Sequence, residues 1–185
     1  YDHGFRIHPI RWPMAFLIGL ITPFNSVMGA VQRAAYGRKI EETEIKVPPV
    51  FIIGHWRSGT TYLHELMHLD ERFVSPTTYQ CFAPHHCLLT HWWMKTLGWW
   101  LMPRQRPMDN MAVSWKASQE DEIALLVRTQ LSPYNMLFSQ GHPEQYRRYF
   151  DLTDLTSTEL TFWKQEFLRF LKKLTVRHHK PLVLK

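Results

Sequence analysis

Residues 50–67 constrain the fold of this chain more than any other stretch. Residues 50–53 are a short run of β-branched and aromatic side chains, typical of a buried strand, and they follow two prolines directly. Gly54 ends that run, and residues 60–69 have the spacing of a helix. The predicted apolar stripe of that helix consists of Leu63, Leu66 and Met67. A strand, a turn bounded by glycines and a helix are the arrangement in which backbone N–H groups surround a phosphate.

The turn has the spacing of a P-loop, with Gly54 and Gly59 separated by four residues. A P-loop that binds nucleoside triphosphates continues with Lys, which reaches the β- and γ-phosphates, and then with a Ser or Thr that binds Mg²⁺. Here Thr60 and Thr61 follow instead, and the nearest cation is Arg57. Hydroxyl groups and one guanidinium suit a smaller anionic group, bound bidentately by Arg57 and without a metal.

The run Phe-Ile-Ile-Gly-His-Trp-Arg-Ser-Gly-Thr-Thr at residues 51–61 resembles the 5′-phosphosulfate-binding loop of sulfotransferases. These enzymes use 3′-phosphoadenosine-5′-phosphosulfate (PAPS), and many bacterial and Golgi members carry the Arg-Ser-Gly-Thr-Thr form. The resemblance implies transfer of a sulfuryl group from PAPS to a hydroxyl or amine, with no metal. It implies that PAPS is bound by His55, Trp56, Arg57, Ser58, Gly59, Thr60 and Thr61. Arg57 is also implied to be catalytic, in the place of the lysine that contacts the phosphate–sulfate bridge in cytosolic members.

Candidates for a general base lie in the acidic cluster at residues 120–122. Ser118 and Asp121 have the spacing of a capping box, which predicts a helix with Ser118 as its N-cap that ends before Pro133. Acidic side chains in a first turn are favoured by the helix dipole alone. Bacterial members of the resembled family have a similar Pro-Glu-Glu stretch, which implies that Glu120 or Glu122 faces the loop as the base. The helical pattern does not choose between the two.

The predicted fold class is α/β, a P-loop NTPase-like parallel sheet flanked by helices, and predominantly helical. A long amphipathic helix is predicted over residues 159–176, and residues 181–185 are predicted to form a strand parallel to the first. The predicted domains are a hydrophobic helical segment with a charged connector over residues 1–47 and a sulfotransferase domain over residues 48–185. In the resembled family the 3′-phosphate of PAPS is bound by a later motif, so we expect the sequence to be an N-terminal fragment.

No charged residue occurs between Trp12 and Gln32, a length near the ~20 residues that cross a bilayer. Pro23, Asn25 and Ser26 predict that the run is divided into two short helical pieces. These pieces either pack on the domain as a hairpin or kinked helix, or contact a membrane surface through residues 12–37. PAPS is made in the cytoplasm, so the expected location is cytoplasmic, with membrane association as the second alternative.

Composition narrows the remaining classes of partner. The formal charge of +6 favours anionic ligands, but the cations are scattered and do not predict nucleic-acid binding. The spacing of Cys81, His85, His86, Cys87 and His91 is reminiscent of zinc ligands, but Pro84 interrupts any helix that would align them, and no metal is expected. The expected acceptor is a small molecule, lipid or carbohydrate. The alternative functions are a kinase-like nucleotide-binding protein and a non-catalytic membrane-surface module.

Overall fold

A computed structural model describes residues 8–55, 57–93, 114–137 and 143–185. Helices outweigh strands, and the two described strands form one small parallel sheet. The helices are α1 (Trp12–Glu42, entered through a 3-10 turn at Pro9–Arg11), α2 (Thr60–Leu69), α3 (Thr78–Phe82), α4 (Asp121–Thr129) and α5 (Ser157–His178), with 3-10 segments at Pro133–Leu137 and Pro143–Tyr149. The strands are β1 (Val50–Phe51) and β2 (Val183–Leu184).

The sheet is centred on β2. Val50 pairs with Val183 and Phe51 with Leu184, so β1 and β2 run parallel, and the predicted parallel direction of the two strands is confirmed. On the other side of β2, Val74 forms a parallel bridge with Leu182. β2 therefore has neighbours on both edges. Its side chains are buried by the core that packs on the sheet, and each of residues 182–184 is at most 1% exposed.

The prediction of a buried strand at residues 50–53 is wrong in its burial. Only Ile52 is buried, whereas Val50 and Phe51 are exposed and Ile53 is 90% exposed. In the part of the chain that the structure describes, β1 pairs with β2 alone and is an edge strand. A short apolar run does not reveal whether both faces of a strand are covered, which explains the error.

The hydrophobic core lies between α5 and β2. Its buried members are Cys81 of α3, Ala124 of α4, Phe170, Leu171 and Leu174 of α5, and Leu182 and Leu184. The predicted helix over residues 159–176 is confirmed and begins slightly earlier, because Thr156 is its N-cap and forms a capping box with Glu159. This long amphipathic helix covers the central strand and therefore holds the end of β2 in place.

α1 is one continuous helix of 31 residues, and the prediction of two short pieces is wrong. Pro23 lies inside it and lacks the N–H that would donate one intrahelical hydrogen bond. The hydroxyls of Thr22 and Ser26 donate to carbonyls one turn earlier, to Ile18 at 2.8 Å and Thr22 at 3.0 Å. The helix also includes residues 38–42, which were predicted to belong to the charged connector at the end of the segment of residues 1–47. By length and composition, α1 is sufficient to cross a membrane.

The second half of α1 is attached to the domain through two buried side chains, Gln32 and Ile40, of which Gln32 makes the hydrogen bonds. Its Nε2 donates to the carbonyl of His85 at 2.9 Å, and its Oε1 accepts from the N–H of Leu88 at 2.8 Å. Near the end of the helix, Lys172 of α5 donates to the carbonyl of Glu41 at 2.5 Å. The proposed domain boundary near residue 47 stays a prediction.

Candidate functional site

The loop of residues 54–61 connects β1 to α2 and has a backbone that only particular residues permit. A Cβ atom on Gly54 would lie 2.6 Å from Cγ2 of Thr60 and 2.9 Å from Oγ of Ser58, so only glycine fits without movement. Gly59 has φ +90°, in the left-handed region that glycine adopts without strain. Arg57 also has a positive φ, of 62°, and its side chain is exposed. The loop is therefore a close turn with its cation facing solvent.

The start of α2 is open to an anion. Gly59 is the N-cap, and no side chain caps the helix. The first N–H groups of a helix have no intrahelical partner, and together with the helix dipole they form a site for negative charge. The turn before them is closed by Ser58, whose N–H and hydroxyl donate to the carbonyl of His55 at 3.1 and 2.5 Å.

Lys185, directly after β2, is the cation that reaches this loop. Its Nζ donates to Oγ1 of Thr61 at 2.7 Å and to Oε1 of Glu120 at 2.5 Å. Its backbone N–H donates to Oδ1 of Asp121 at 2.9 Å. Lys185 therefore joins the loop after β1 to the start of α4.

Lys185 was absent from the site residues predicted from the sequence, although the sequence contains a signal for it. The loop follows β1 and Lys185 follows β2, and the two strands were predicted to be parallel. The carboxyl ends of parallel strands meet at one edge of a sheet, where ligands bind in folds of this class. A residue that directly follows either strand is thus a candidate.

The start of α4 differs from its prediction. Glu120 is the N-cap, not Ser118, and it makes no side-chain cap. The hydroxyl of Ser118 donates instead to Oε1 of Glu65 on α2 at 2.9 Å, because the segment before α4 packs against the loop helix. The Glu120 carboxylate accepts from Lys185 and from the hydroxyl of Tyr134. The Glu120 side chain therefore bonds to Lys185 and Tyr134 and does not cap its own helix.

Glu122 occupies a different environment. It is partly buried, and burial raises the pKa of its carboxyl group from the ordinary value of 4.5 to about 7. Its Oε1 has no hydrogen-bond partner, and among the described residues no hydrogen bond joins Glu122 to the loop. Burial also raises the pKa of Asp121, to about 6. The structure therefore brings Glu120 to Thr61 through Lys185 and leaves Glu122 outside this network.

Of the predicted loop residues, Trp56 lies outside the described part of the chain, and His55, Arg57, Ser58 and Gly59 are exposed. Thr60 and Thr61 begin α2, and Leu63 and Leu66 of the predicted stripe are exposed. The buried residue of α2 is His64, with its Nε2 3.4 Å from the carbonyl of Val183. The predicted stripe is thus not the buried face of α2: Met67 is half-buried, and the helix contacts the sheet through His64.

The cysteines and histidines of residues 81–91 serve the packing of the domain. Cys81 and Cys87 are buried free thiols. His86 contacts the hydroxyl of Thr90 through Nδ1 at 2.7 Å and Oδ1 of Asn25 through Nε2 at 2.9 Å. His85 contacts Nη1 of Arg128 at 2.7 Å through its Nδ1. Among the described residues, no three potential metal ligands lie close enough together to hold an ion.

Comparison with known proteins gives two findings. A model of the sulfotransferase family matches residues 48–167. Two curated proteins, both named omega-hydroxy-beta-dihydromenaquinone-9 sulfotransferase Stf3, from Mycobacterium bovis and Mycobacterium tuberculosis, are each 41% identical to the chain over 181 residues. The matched region is 98% of this chain and 46% of each relative, so the chain spans about half the length of these relatives. No solved structure matches.

We expect Glu122→Gln to stabilise the protein increasingly as pH rises. The folded protein holds the Glu122 proton more tightly than the unfolded chain, so wild-type stability falls as pH increases from 4.5 to about 7 and the buried carboxylate ionises. The glutamine side chain does not ionise, so the variant does not lose stability in this way. Its free energy of unfolding, relative to wild type, should increase by about 2.5 kcal/mol between pH 5 and pH 8 in urea titrations. Glu144→Gln, at an exposed glutamate, is the control. A variant-to-wild-type difference that is constant with pH would contradict the burial of Glu122.

Proposed function

We propose that this chain, which belongs to the sulfotransferase family, carries the 5′-phosphosulfate site of an enzyme that transfers a sulfuryl group from PAPS to an acceptor hydroxyl or amine. The observation that carries the proposal is the uncapped start of α2, with the Lys185 ammonium beside it on Thr61. We further propose that the small parallel sheet and its covering helices belong to a P-loop NTPase-like fold. No metal is part of the proposal.

The reaction forms one bond to sulfur and breaks another. The acceptor oxygen or nitrogen attacks the sulfur of PAPS in line with the bridging oxygen of the 5′-phosphate. The bond from sulfur to that oxygen breaks, and its electron pair stays on the phosphate of adenosine 3′,5′-bisphosphate. A base takes the proton of the acceptor. Catalysis therefore requires groups that stabilise charge on the leaving phosphate and a base on the acceptor side.

Four kinds of donor at the loop suit the leaving phosphate. The N–H groups of the first turn of α2 point toward the anion position, and Thr60 and Thr61 add hydroxyl groups. Arg57 is exposed on the loop, able to close on a bound phosphosulfate. Lys185 already contacts Thr61. Fixed donors of this kind stabilise the charge that develops as the bond to sulfur breaks, which is usually the largest contribution to catalysis.

Of the two candidate bases, we propose Glu120. Its carboxylate is joined to the loop through Lys185, which supports a position for Glu120 beside a sulfuryl group bound at the loop. Glu122 is the alternative, because a pKa near 7 suits a general base at neutral pH. The absence of a hydrogen-bonded connection from Glu122 to the loop, within the described residues, favours Glu120.

For the acceptor, we propose the hydroxyl group of a lipid. The curated relatives are named for an omega-hydroxy-dihydromenaquinone, a lipid quinone with a hydroxyl group. The long apolar helix α1 is consistent with an acceptor that is dissolved in a membrane. Since PAPS is a cytoplasmic compound, the loop would face the cytoplasm.

Ligand binding tests the proposal. In full-length protein, adenosine 3′,5′-bisphosphate should raise the melting temperature without Mg²⁺, because Thr60 replaces the lysine that a nucleoside triphosphate requires. ATP with Mg²⁺ should give little shift, as measured by differential scanning fluorimetry. Equal stabilisation by ATP that depends on Mg²⁺ would instead support a kinase-like protein.

Arg57→Ala should lower turnover about 10²–10³-fold, because one donor to the developing charge is lost. The folded state should be unaffected, since the side chain of Arg57 is exposed. The measurement is sulfate transfer from labelled PAPS under saturating donor, together with the melting temperature. Arg72→Ala removes an equally charged, exposed side chain outside the loop and is the control. Near-normal turnover in Arg57→Ala would mean that another cation holds the leaving phosphate.

Glu120→Gln should abolish the acidic limb of the pH–rate profile and lower turnover about 10²–10⁴-fold, as expected for loss of a general base. PAPS affinity should be retained, and it is measured separately by calorimetry. Glu122→Gln is the matched variant in the same helix turn and should keep the acidic limb. The opposite result would assign the base to Glu122. Wild-type rates in both glutamine variants would show that neither Glu120 nor Glu122 is the base.

A further inference from the structure

The first half of α1 exposes large apolar side chains around its whole circumference. Residues 12–24 include eight that are 43–69% exposed: Trp12, Met14, Phe16, Leu17, Ile18, Leu20, Ile21 and Phe24. Consecutive helical residues point about 100° apart, so Phe16, Leu17 and Ile18 alone face three directions. A helix that docks on a protein needs one apolar stripe, whereas a helix that is apolar on all sides requires an apolar environment on all sides. The exposed apolar side chains of residues 12–24 therefore fit an apolar medium around the helix better than a single face of a partner protein.

Charge and length agree with a lipid bilayer as that medium. No charged residue lies between Trp12 and Gln32, and cations stand on both sides, with Arg11 before and Arg33, Arg38 and Lys39 after. Ring contacts to the domain begin at Phe24, and hydrogen bonding begins at Asn25, whose Oδ1 lies 2.9 Å from Nε2 of His86. At about 1.5 Å per residue, residues 12–24 extend about 20 Å, which exceeds half of the ~30 Å hydrocarbon core of a bilayer.

Two tryptophans stand where this free half joins the domain. Trp92 is 63% exposed and Trp93 41% exposed. The ring of Trp93 stacks on Phe24 with a centroid distance of 6.5 Å, and the two tryptophan rings meet edge to face at 5.5 Å. Tryptophan is enriched at the boundary between lipid and water, because its ring is apolar and its N–H is polar. Trp92 and Trp93 therefore indicate where the lipid headgroups would lie along α1, with residues 12–24 on the hydrocarbon side.

We propose that residues 12–24 of α1 are embedded in a lipid bilayer, with Trp92 and Trp93 in the headgroup region. The helix runs without a break from this half into the half that is fixed by Gln32, so the embedded part holds the domain rigidly at the membrane surface. This inference stands on exposure, charge and length, and it does not depend on the proposed sulfotransfer reaction.

Vesicle flotation of the full-length protein tests the proposal. Wild type should float with vesicles of neutral phosphatidylcholine and should remain bound in high salt, because insertion is driven by apolar burial. Phe16→Glu combined with Leu20→Glu places two charges on the embedded half, at exposed positions one turn apart. This variant should lose at least about a hundredfold in vesicle partitioning, since charged side chains are strongly disfavoured in hydrocarbon.

The matched control is Phe162→Glu combined with Leu168→Glu, which adds the same charge at exposed apolar positions of α5 and should float like wild type. Circular dichroism and melting temperatures establish that both variants are folded. Binding only to anionic vesicles and only at low salt would overturn the proposal, because a chain with formal charge +6 adsorbs in that way. A wild-type protein that stays in solution as a dimer, with only the α1 variant monomeric, would overturn it too.

Discussion

The parallel pairing of β1 with β2 is the constraint on which the site depends. It places the carboxyl ends of both strands at one edge of the sheet, so the loop of residues 54–61 and Lys185 lie side by side. β2 is central and enclosed by the core of α5, and it therefore has little freedom to shift. Because Lys185 directly follows this fixed strand, its side chain is held in a well-defined position, which binding of a small anion would require.

The electrostatics around Lys185 follow from this position. An anion at the start of α2 would have three acidic residues of segment 120–122 nearby, which on their own would repel it. Two effects reduce that repulsion: Lys185 pairs with Glu120, and burial raises the pKa of Glu122 to about 7. Asp121 accepts the backbone N–H of Lys185 and so has a structural part in holding the cation. The acidic segment thus positions Lys185 while part of its negative charge is neutralised.

α1 combines two environments in one helix. Its second half uses Gln32, Ile40 and the carbonyl of Glu41 to contact the domain. Among the described residues, no side-chain hydrogen bond joins its first half to the rest of the domain, and its apolar side chains are exposed in all directions. The change occurs near Asn25, whose contact with His86 is the first polar link to the domain along the helix. One rigid element therefore connects the site-bearing domain to the surface on which we expect it to act.

The features that could be predicted from the sequence are mostly those with local causes. The glycines of the loop, the helix that follows it and the helix over residues 159–176 were predicted, because backbone restriction and side-chain periodicity depend on neighbouring residues. The parallel direction of the strand at residues 181–185 was predicted from the α/β fold class, but not that this strand pairs directly with β1. Membership of the sulfotransferase family, indicated by Arg-Ser-Gly-Thr-Thr, is confirmed by the match over residues 48–167.

Which distant side chains meet depends on how the elements pack together, and this could not be read from the sequence. Lys185 contacts Thr61 and Glu120 across 124 and 65 positions of sequence, and no local pattern contains that contact. Ser118 was predicted to cap a helix but bonds to Glu65, because a hydroxyl takes the partner that packing brings within reach. The burial of single residues also depends on packing. Ile53 is exposed and His64 is buried, because burial is decided by what covers each face and not by the hydrophobicity of the residue.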